Sequence, residues 1–405
     1  MKSVARNIPK LQALSWTWGF ILLTGIMVPF LKDRGLNLAE IYFVQATFAI
    51  TMSICEIPTG YFSDMIGRKG TLVWAGIFKG IGGTILAAGH GFASVLIAYI
   101  LLGIANSLLS GTDISLLYES LPASENRKRE QAIATSYMFG YLSLATATIL
   151  GGRLALSSLS IAAWVNALTA WFSLFIAMFL VEPETHRTRL RKTWSHFKQE
   201  VLEVGHQLFR KRTPARLFVY FTVFYSFATA ISMYTFQTRW VSLGVALSTM
   251  SILTASLSLT GAMGGKFLPS ITKRLSKRMT ILILSLLPIL AFLGALSSNL
   301  IVVFFSALLI ECVRALLGIT FIDRINSEVG NELRATTNSI ISFASRIFIA
   351  AVAPLWGYAA ERYSLELALP VLASVYGAVF IYFAVVYGKE VLNQKDSDNA
   401  SYPAA

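Results

Sequence analysis

Three acidic side chains, Glu56, Asp113 and Glu311, and two arginines, Arg314 and Arg346, stand inside long apolar stretches of this chain. An ionisable group in a hydrocarbon setting is costly, and where it occurs it pairs with another group, faces a water-filled cavity or handles protons and ions. Asp113 ends a polar stripe: Tyr99, Gly103, Asn106, Ser110 and Asp113 recur at spacings of four and three. On a helix that spacing defines one face, and in lipid such a face must look toward protein or water. A carboxylate there suits proton coupling or cation binding, and equally a hydrogen bond to a neighbouring helix. Glu311 and Arg314 are three residues apart and hence adjacent on a helix surface. Arg346 shares its side of a helix with Asn338 and Ser342. The arginines suit an anionic or zwitterionic solute, or they pair internally with Glu311 and bind nothing. Lys79 and Lys266 also fall in apolar runs, where their long stems could snorkel toward the cytoplasmic interface.

The elements that must carry these residues are transmembrane helices. Of 405 residues, 55% are hydrophobic and only 14% charged, with a mean hydropathy of +0.63; soluble domains carry roughly 25% charged residues. Twelve apolar runs, each long enough to cross a bilayer as a helix, are read at about 11–31, 38–60, 72–90, 93–119, 131–153, 159–181, 214–238, 248–269, 279–297, 299–322, 335–360 and 364–387. No alternating strand pattern of the β-barrel kind occurs. The expected fold class is an all-α membrane protein with twelve transmembrane helices in two six-helix bundles. The first run is too long for a signal peptide and lacks a small-residue cleavage site, so it is taken as a span. The net charge of +13 is distributed by topology. Most lysines and arginines fall at the two ends and in every second loop, while the other loops hold Lys32, Arg34, Arg153, Arg239 and Arg362. That asymmetry places both termini in the cytoplasm, in a multi-pass cytoplasmic (inner) membrane protein, and argues against a nucleic-acid partner. Cys55 and Cys312 lie in predicted spans and imply no disulfide framework.

One long polar segment divides the spans six and six. The expected organisation is an N-terminal bundle over 1–181, a cytoplasmic linker over 182–213, a C-terminal bundle over 214–388 and a polar cytoplasmic tail over 389–405. Within the linker, Leu190, Trp194, Phe197, Val201, Val204 and Leu208 form one apolar helical face, suited to lying along the membrane surface. The halves resemble one another: "GRKGTL" at 67–72 corresponds to "SKRMTI" at 276–281, and Gly111 to Gly318 at a similar offset. Duplication of a six-helix unit is a common transporter design.

Between the second and third runs stands "GYFSDMIGRKGTL". Gly60, Asp64, Gly67, Arg68 and Lys69 resemble the signature loop of the major facilitator superfamily, with Met65 where an arginine is often found. The resemblance implies that helices 1, 4, 7 and 10 line a central cavity, which places the Tyr99–Asn106–Asp113 stripe on its wall. It further implies that Asp64 holds the cytoplasmic ends of the halves together in the outward-open state. Asp64 falls at the C-terminal end of its helix, where the dipole disfavours a negative charge, so Arg68, Lys69 or a neighbouring helix N-terminus must compensate it. Gly60 is expected to let a neighbouring helix approach closely, and Pro58 to remove a backbone donor. Glu56 lies on the same side of that helix as Gly60 and Asp64, as a proton site or as part of the cytoplasmic charge network; Glu119 is read as a member of that network. Two family patterns are absent: Tyr99 stands where many proton-coupled members have an arginine, and only Gly151 and Gly152 remain of a glycine-proline element frequent in drug antiporters.

The function expected from these features is a secondary active transporter that moves a small organic solute by alternating access, coupled to protons and in the efflux direction. A nutrient or siderophore importer of the same fold is the alternative. A polytopic membrane enzyme is the reading from a different class. His186, His196 and His206 are spaced by ten and not as metal ligands, and no nucleotide-binding signature occurs. Neither cofactor nor metal is expected; the partners are the solute, protons and the lipid bilayer.

Overall fold

The structure, a computed structural model, describes residues 6–183, 199, 202–206, 215–272, 277–322, 325–326, 329 and 333–400. Every regular element among them is helical. In the first run, Pro29 withholds a backbone donor and its ring crowds the carbonyl four residues back, which disfavours a regular helix through Gly25. Helix α1 (Asn7–Gly19) stops, Phe20 and Ile21 leave the helical region, a 3-10 turn follows over Leu22–Ile26, and α2 (Met27–Asp33) resumes with Pro29 in its first turn. Helix α3 (Leu38–Ile66) opens with a reciprocal cap: the Asn37 side chain accepts from Glu40 N, and the Glu40 carboxylate accepts from Asn37 N. Then come α4 (Arg68–Ala88), α5 (Gly91–Leu109), the short α6 (Thr112–Glu119), α7 (Asn126–Ala155) and α8 (Leu159–Met178). The later helices are α9 (Ala215–Ser242), α10 (Leu247–Thr272), α11 (Lys277–Gly294), α12 (Leu300–Leu316), α13 (Arg334–Tyr363) and α14 (Leu365–Ala400).

Among the described residues nine helical stretches are long and apolar enough to cross a bilayer, including Asn7–Asp33, Gly91–Glu119 and Arg216–Ser242. Shorter apolar helices occur at Leu247–Thr260 and Leu282–Gly294. The amphipathic helix expected over 190–208 lies largely outside the described residues, of which only 199 and 202–206 fall in that range.

Two compact units emerge, interleaved along the chain. The first comprises Met1–Arg191 with Met233–Ala262 and Ile349–Arg362. One close seam joins α4 to α8 through a glycine face. A Cβ on Gly76 would stand 2.7 Å from Leu174 Cα, and one on Gly80 would stand 2.5 Å from the Trp171 ring. Backbones approach this closely only where side chains are lacking. The second unit comprises Lys192–Ser232, Met263–Phe348 and Tyr363–Ala405. Here the core is aromatic: Phe221 stacks on Tyr225 at 5.2 Å between centroids, and Tyr225, Phe224 and Phe292 surround the fully buried Tyr376. Offset and edge-on ring packing of this kind adds to plain burial.

Candidate functional site

The fourth run does not form one uninterrupted helix. Gly111 adopts φ +76, a left-handed conformation that a side chain resists, and separates α5 from α6. The members of the polar stripe do not all face one way. Gly103 faces α3, where a Cβ would meet Thr51 at 3.0 Å, while Tyr99, Asn106 and Asp113 line a cavity of about 520 Å³ inside the first unit. The cavity walls are mostly aliphatic and aromatic, among them Leu11, Phe20, Met27, Phe48, Leu86 and Leu102.

Its polar groups are individually fixed. Trp18 Nε1 donates to Asn106 Oδ1 at 3.2 Å, and Asn106 Nδ2 donates to Leu102 O at 2.9 Å. Tyr234 donates to Gln45 Oε1 at 2.9 Å. The neighbouring Tyr99 is buried, its hydroxyl beside that of Tyr234. Asp113 Oδ1 accepts from Ile114 N at 2.8 Å in the first turn of α6, where the helix dipole favours a carboxylate. No cationic side chain pairs with Asp113 among the described residues. Tyr137 lies within electrostatic range of both Asp113 and Tyr141, and both tyrosines line the cavity.

Lys79 departs from the snorkelling expectation. Its side chain is buried, at 6% exposure, and points inward from α4 to the break in the first run. The ammonium donates to Thr17 O at 3.0 Å, Trp18 O at 3.1 Å and Ser173 Oγ at 3.2 Å, and lies 4.5 Å from the Trp18 ring centroid. Those carbonyls are the unpaired acceptors at the C-terminal end of α1, where the helix dipole is negative. Two further side chains close the break. Asn166 Oδ1 accepts from Leu22 N at 2.9 Å, and the fully buried Gln237 donates to Thr24 O at 2.7 Å and accepts from Val28 N at 3.0 Å. Sequence reading passed over Asn166 and Gln237. Amide side chains in the middle of apolar runs were the available signal.

The motif loop forms a separate charge cluster in the same unit. Gly67, at φ +90, separates α3 from α4. Arg68 lies 3.2 Å from Asp64 and 3.6 Å from Glu119, and donates to Ser63 Oγ at 2.7 Å. The Glu182 carboxylate accepts from Arg68 N at 2.8 Å and from Lys69 N at 2.7 Å, so an anion caps the positive end of α4. A Cβ on Gly67 would stand 2.7 Å from that carboxylate. Glu182 was missed in the sequence because it stands more than a hundred positions from the loop that it caps. Gly60, expected to admit a close helix, has nothing within 4 Å of where its Cβ would be. Glu56, half-buried on α3, does not line the cavity. In the second unit, Glu311 and Arg314 form an ion pair at 3.2 Å, and Arg314 also donates to Thr229 O at 2.8 Å. Arg346 lies in the same unit, on α13, and none of these three lines the cavity. Among the described residues no group of histidine, cysteine, aspartate and glutamate is placed to hold a metal ion.

With this geometry established, the chain's relatives define its class. The family model of the Major Facilitator Superfamily matches residues 12–353, and the chain belongs to that family. It is accordingly a multi-pass membrane protein of a transporter family and not an enzyme. An "Uncharacterized transporter" of Buchnera aphidicola subsp. Schizaphis graminum (strain Sg) is 26% identical over 191 residues, 45% of this chain and 48% of that protein, so the match spans about half of either. Among solved structures, the nucleoside transporter NupG (D323A mutant) superposes with a TM-score of 0.80 at 14% identity, covering 94% of this chain and 99% of that one. A D-xylose-proton symporter gives 0.68 at 15% identity, covering 92% and 96%. At these identities the likeness is one of fold.

Proposed function

We propose that the chain is a secondary active transporter that exports a small organic solute by alternating access, driven by protons. The cavity carries this reading: about 520 Å³ of largely apolar space within a membrane-spanning unit, lined by one carboxylate, Asp113, that pairs with no cationic side chain among the described residues. A site of this kind, apolar with few convergent polar groups, is how small molecules are usually held. Asp113 is the proposed coupling residue, since one carboxylate can hold either a proton or solute and so exchange them. Tyr99 and Asn106 complete the proposed binding wall. Glu56 and the Glu311–Arg314–Arg346 group are further coupling or binding candidates. A proton symporter shares the fold, which agrees with proton coupling and also keeps import of a nutrient as the second reading.

The proposed topology has twelve spans in two bundles, over 1–181 and 214–388, with a linker over 182–213 and a tail over 389–405. Both termini lie in the cytoplasm and the membrane is the inner one; the charge asymmetry of the loops supports this. Gly60, Asp64, Gly67, Arg68 and Lys69 are proposed as the gating loop, in which the Asp64–Arg68–Glu119 cluster stabilises the outward-open state. Reconstitution into proteoliposomes, with uptake and efflux of a metabolite and drug panel measured with and without a pH gradient, tests the proposal. Solute movement that responds to the gradient is expected. Flux that never exceeds equilibration under any gradient would mean a passive pore.

A further inference from the structure

The cavity contains two charged side chains among the described residues, Lys79 and Asp113, of opposite sign. Taken by type alone they suggest a site for a zwitterion. Their surroundings make them unequal. All three ammonium hydrogens of Lys79 have acceptors, at 3.0, 3.1 and 3.2 Å, two of them backbone carbonyls that end α1, and its remaining flank rests on Trp18. A solute anion could recruit this cation only by stripping it from carbonyls that have no other helical partner, in a buried setting where an unpaired carbonyl is expensive. Lys79 therefore serves the fold of the broken span.

Asp113 is the converse. Its recorded hydrogen bonds come from the backbone alone, from Ile114 N and its own N–H, and no cationic side chain pairs with it among the described residues. On the same wall the buried Tyr99 hydroxyl interacts with the Tyr234 hydroxyl, a neutral pair that adds no positive charge to the site. Tyr137, within electrostatic range of Asp113, and Tyr141, one helical turn further along α7, add two aromatic rings to the cavity wall. Aromatic faces attract cations and repel anions. Trp18 and Asn106 are bonded to each other, and so orient the wall without competing for the solute's charge.

From this inventory we infer that the cavity takes a monovalent organic cation with an apolar body, its positive end at Asp113 beside Tyr137. This deepens the transporter reading and rests on it. The unequal surroundings of the two charges carry the step from zwitterion to cation.

Two ions of matched shape and opposite charge, tetraphenylphosphonium and tetraphenylborate, test it on the full-length protein purified in detergent. Binding is followed by calorimetry and by competition with each other. Saturable binding of the phosphonium, with no saturable binding of the borate, is expected. Asp113→Asn should weaken phosphonium binding roughly tenfold or more, the scale of one charge contact in a partly desolvated site, while Asp113→Glu should retain the preference for the cation. The glutamate variant keeps the test decisive if the asparagine variant does not fold. Equal binding of both ions would overturn the inference by showing an apolar site indifferent to charge. Preference for the borate would overturn it by showing Lys79 released to the solute. The transporter reading fails separately: selective cation binding in detergent, with no gradient-driven movement of any panel solute in proteoliposomes, supports the cation site and refutes transport. Movement confined to neutral or anionic solutes does the reverse.

Discussion

At the scale of single residues, the cluster around the motif loop separates stability from function. Asp64 is 57% exposed on its side chain, so its pairing with Arg68 contributes little to stability, roughly 0–1 kcal/mol. Asp64→Asn should leave the melting temperature in detergent within a few degrees of wild type. If the proposed gating role is right, it should nonetheless slow transport and raise the reactivity of a cavity cysteine, Ser136→Cys, toward a reagent added from the cytoplasmic side. Unchanged reactivity together with unchanged transport would remove Asp64 from the gating loop. Glu182 behaves in the opposite way. It accepts two backbone N–H groups at the start of α4, and a cap of that kind is worth about 1–2 kcal/mol. Glu182→Ala should lower thermal stability measurably, whereas Glu182→Gln, which still accepts hydrogen bonds but lacks the charge, should lose less. Equal losses for the two would mean that contact area, and not the helix dipole, is what the carboxylate supplies.

At the scale of elements, the α4–α8 seam and the break in the first span show what a sequence reveals and what it hides. The periodicity of apolar residues made the helices legible, because lipid leaves a backbone few other ways to satisfy itself. The motif loop was legible because a left-handed Gly67 and its flanking charges sit within a few residues of each other. Lys79 was misread, since its stem could reach an interface or an interior acceptor, and the deciding carbonyls belong to residues about sixty positions away. Asn166 and Gln237 were hidden for the same reason: an amide in an apolar run announces a partner but not which one. Of the polar stripe, Tyr99, Asn106 and Asp113 line the cavity, whereas Gly103 on α5 packs toward Thr51 of α3, and a glycine carries no side chain to disclose its facing. The seam gives a direct test. Gly80→Leu would drive a branched side chain into Trp171 and should abolish folded protein in detergent or cost several kcal/mol. Gly60→Leu, with nothing within 4 Å, should be tolerated. Similar yields and melting temperatures for both variants would contradict the packing described for α4 and α8.

At the scale of the whole molecule, family, orientation and coupling stand in a chain of dependence. Membership of the Major Facilitator Superfamily is carried by the match over residues 12–353. The proposed orientation rests on the loop charges. It predicts that single cysteines at Ser158 and Ser195, introduced after replacement of Cys55 and Cys312, label from opposite sides of the membrane in intact cells. Labelling of both from outside would break the twelve-span arrangement. Coupling is the claim on which the function turns, and Asp113 concentrates it. Asparagine preserves the shape of Asp113 and a hydrogen-bond acceptor for Ile114 N while removing the charge, so a purely structural role predicts a working transporter. The measurement is gradient-driven accumulation against counterflow in proteoliposomes containing Asp113→Asn, using whichever panel solute the wild-type protein moves. Loss of accumulation with counterflow at least partly retained is the predicted result, because counterflow needs no net proton movement. Accumulation that persists undiminished in the variant would contradict the account and pass the coupling role to Glu56 or Glu311.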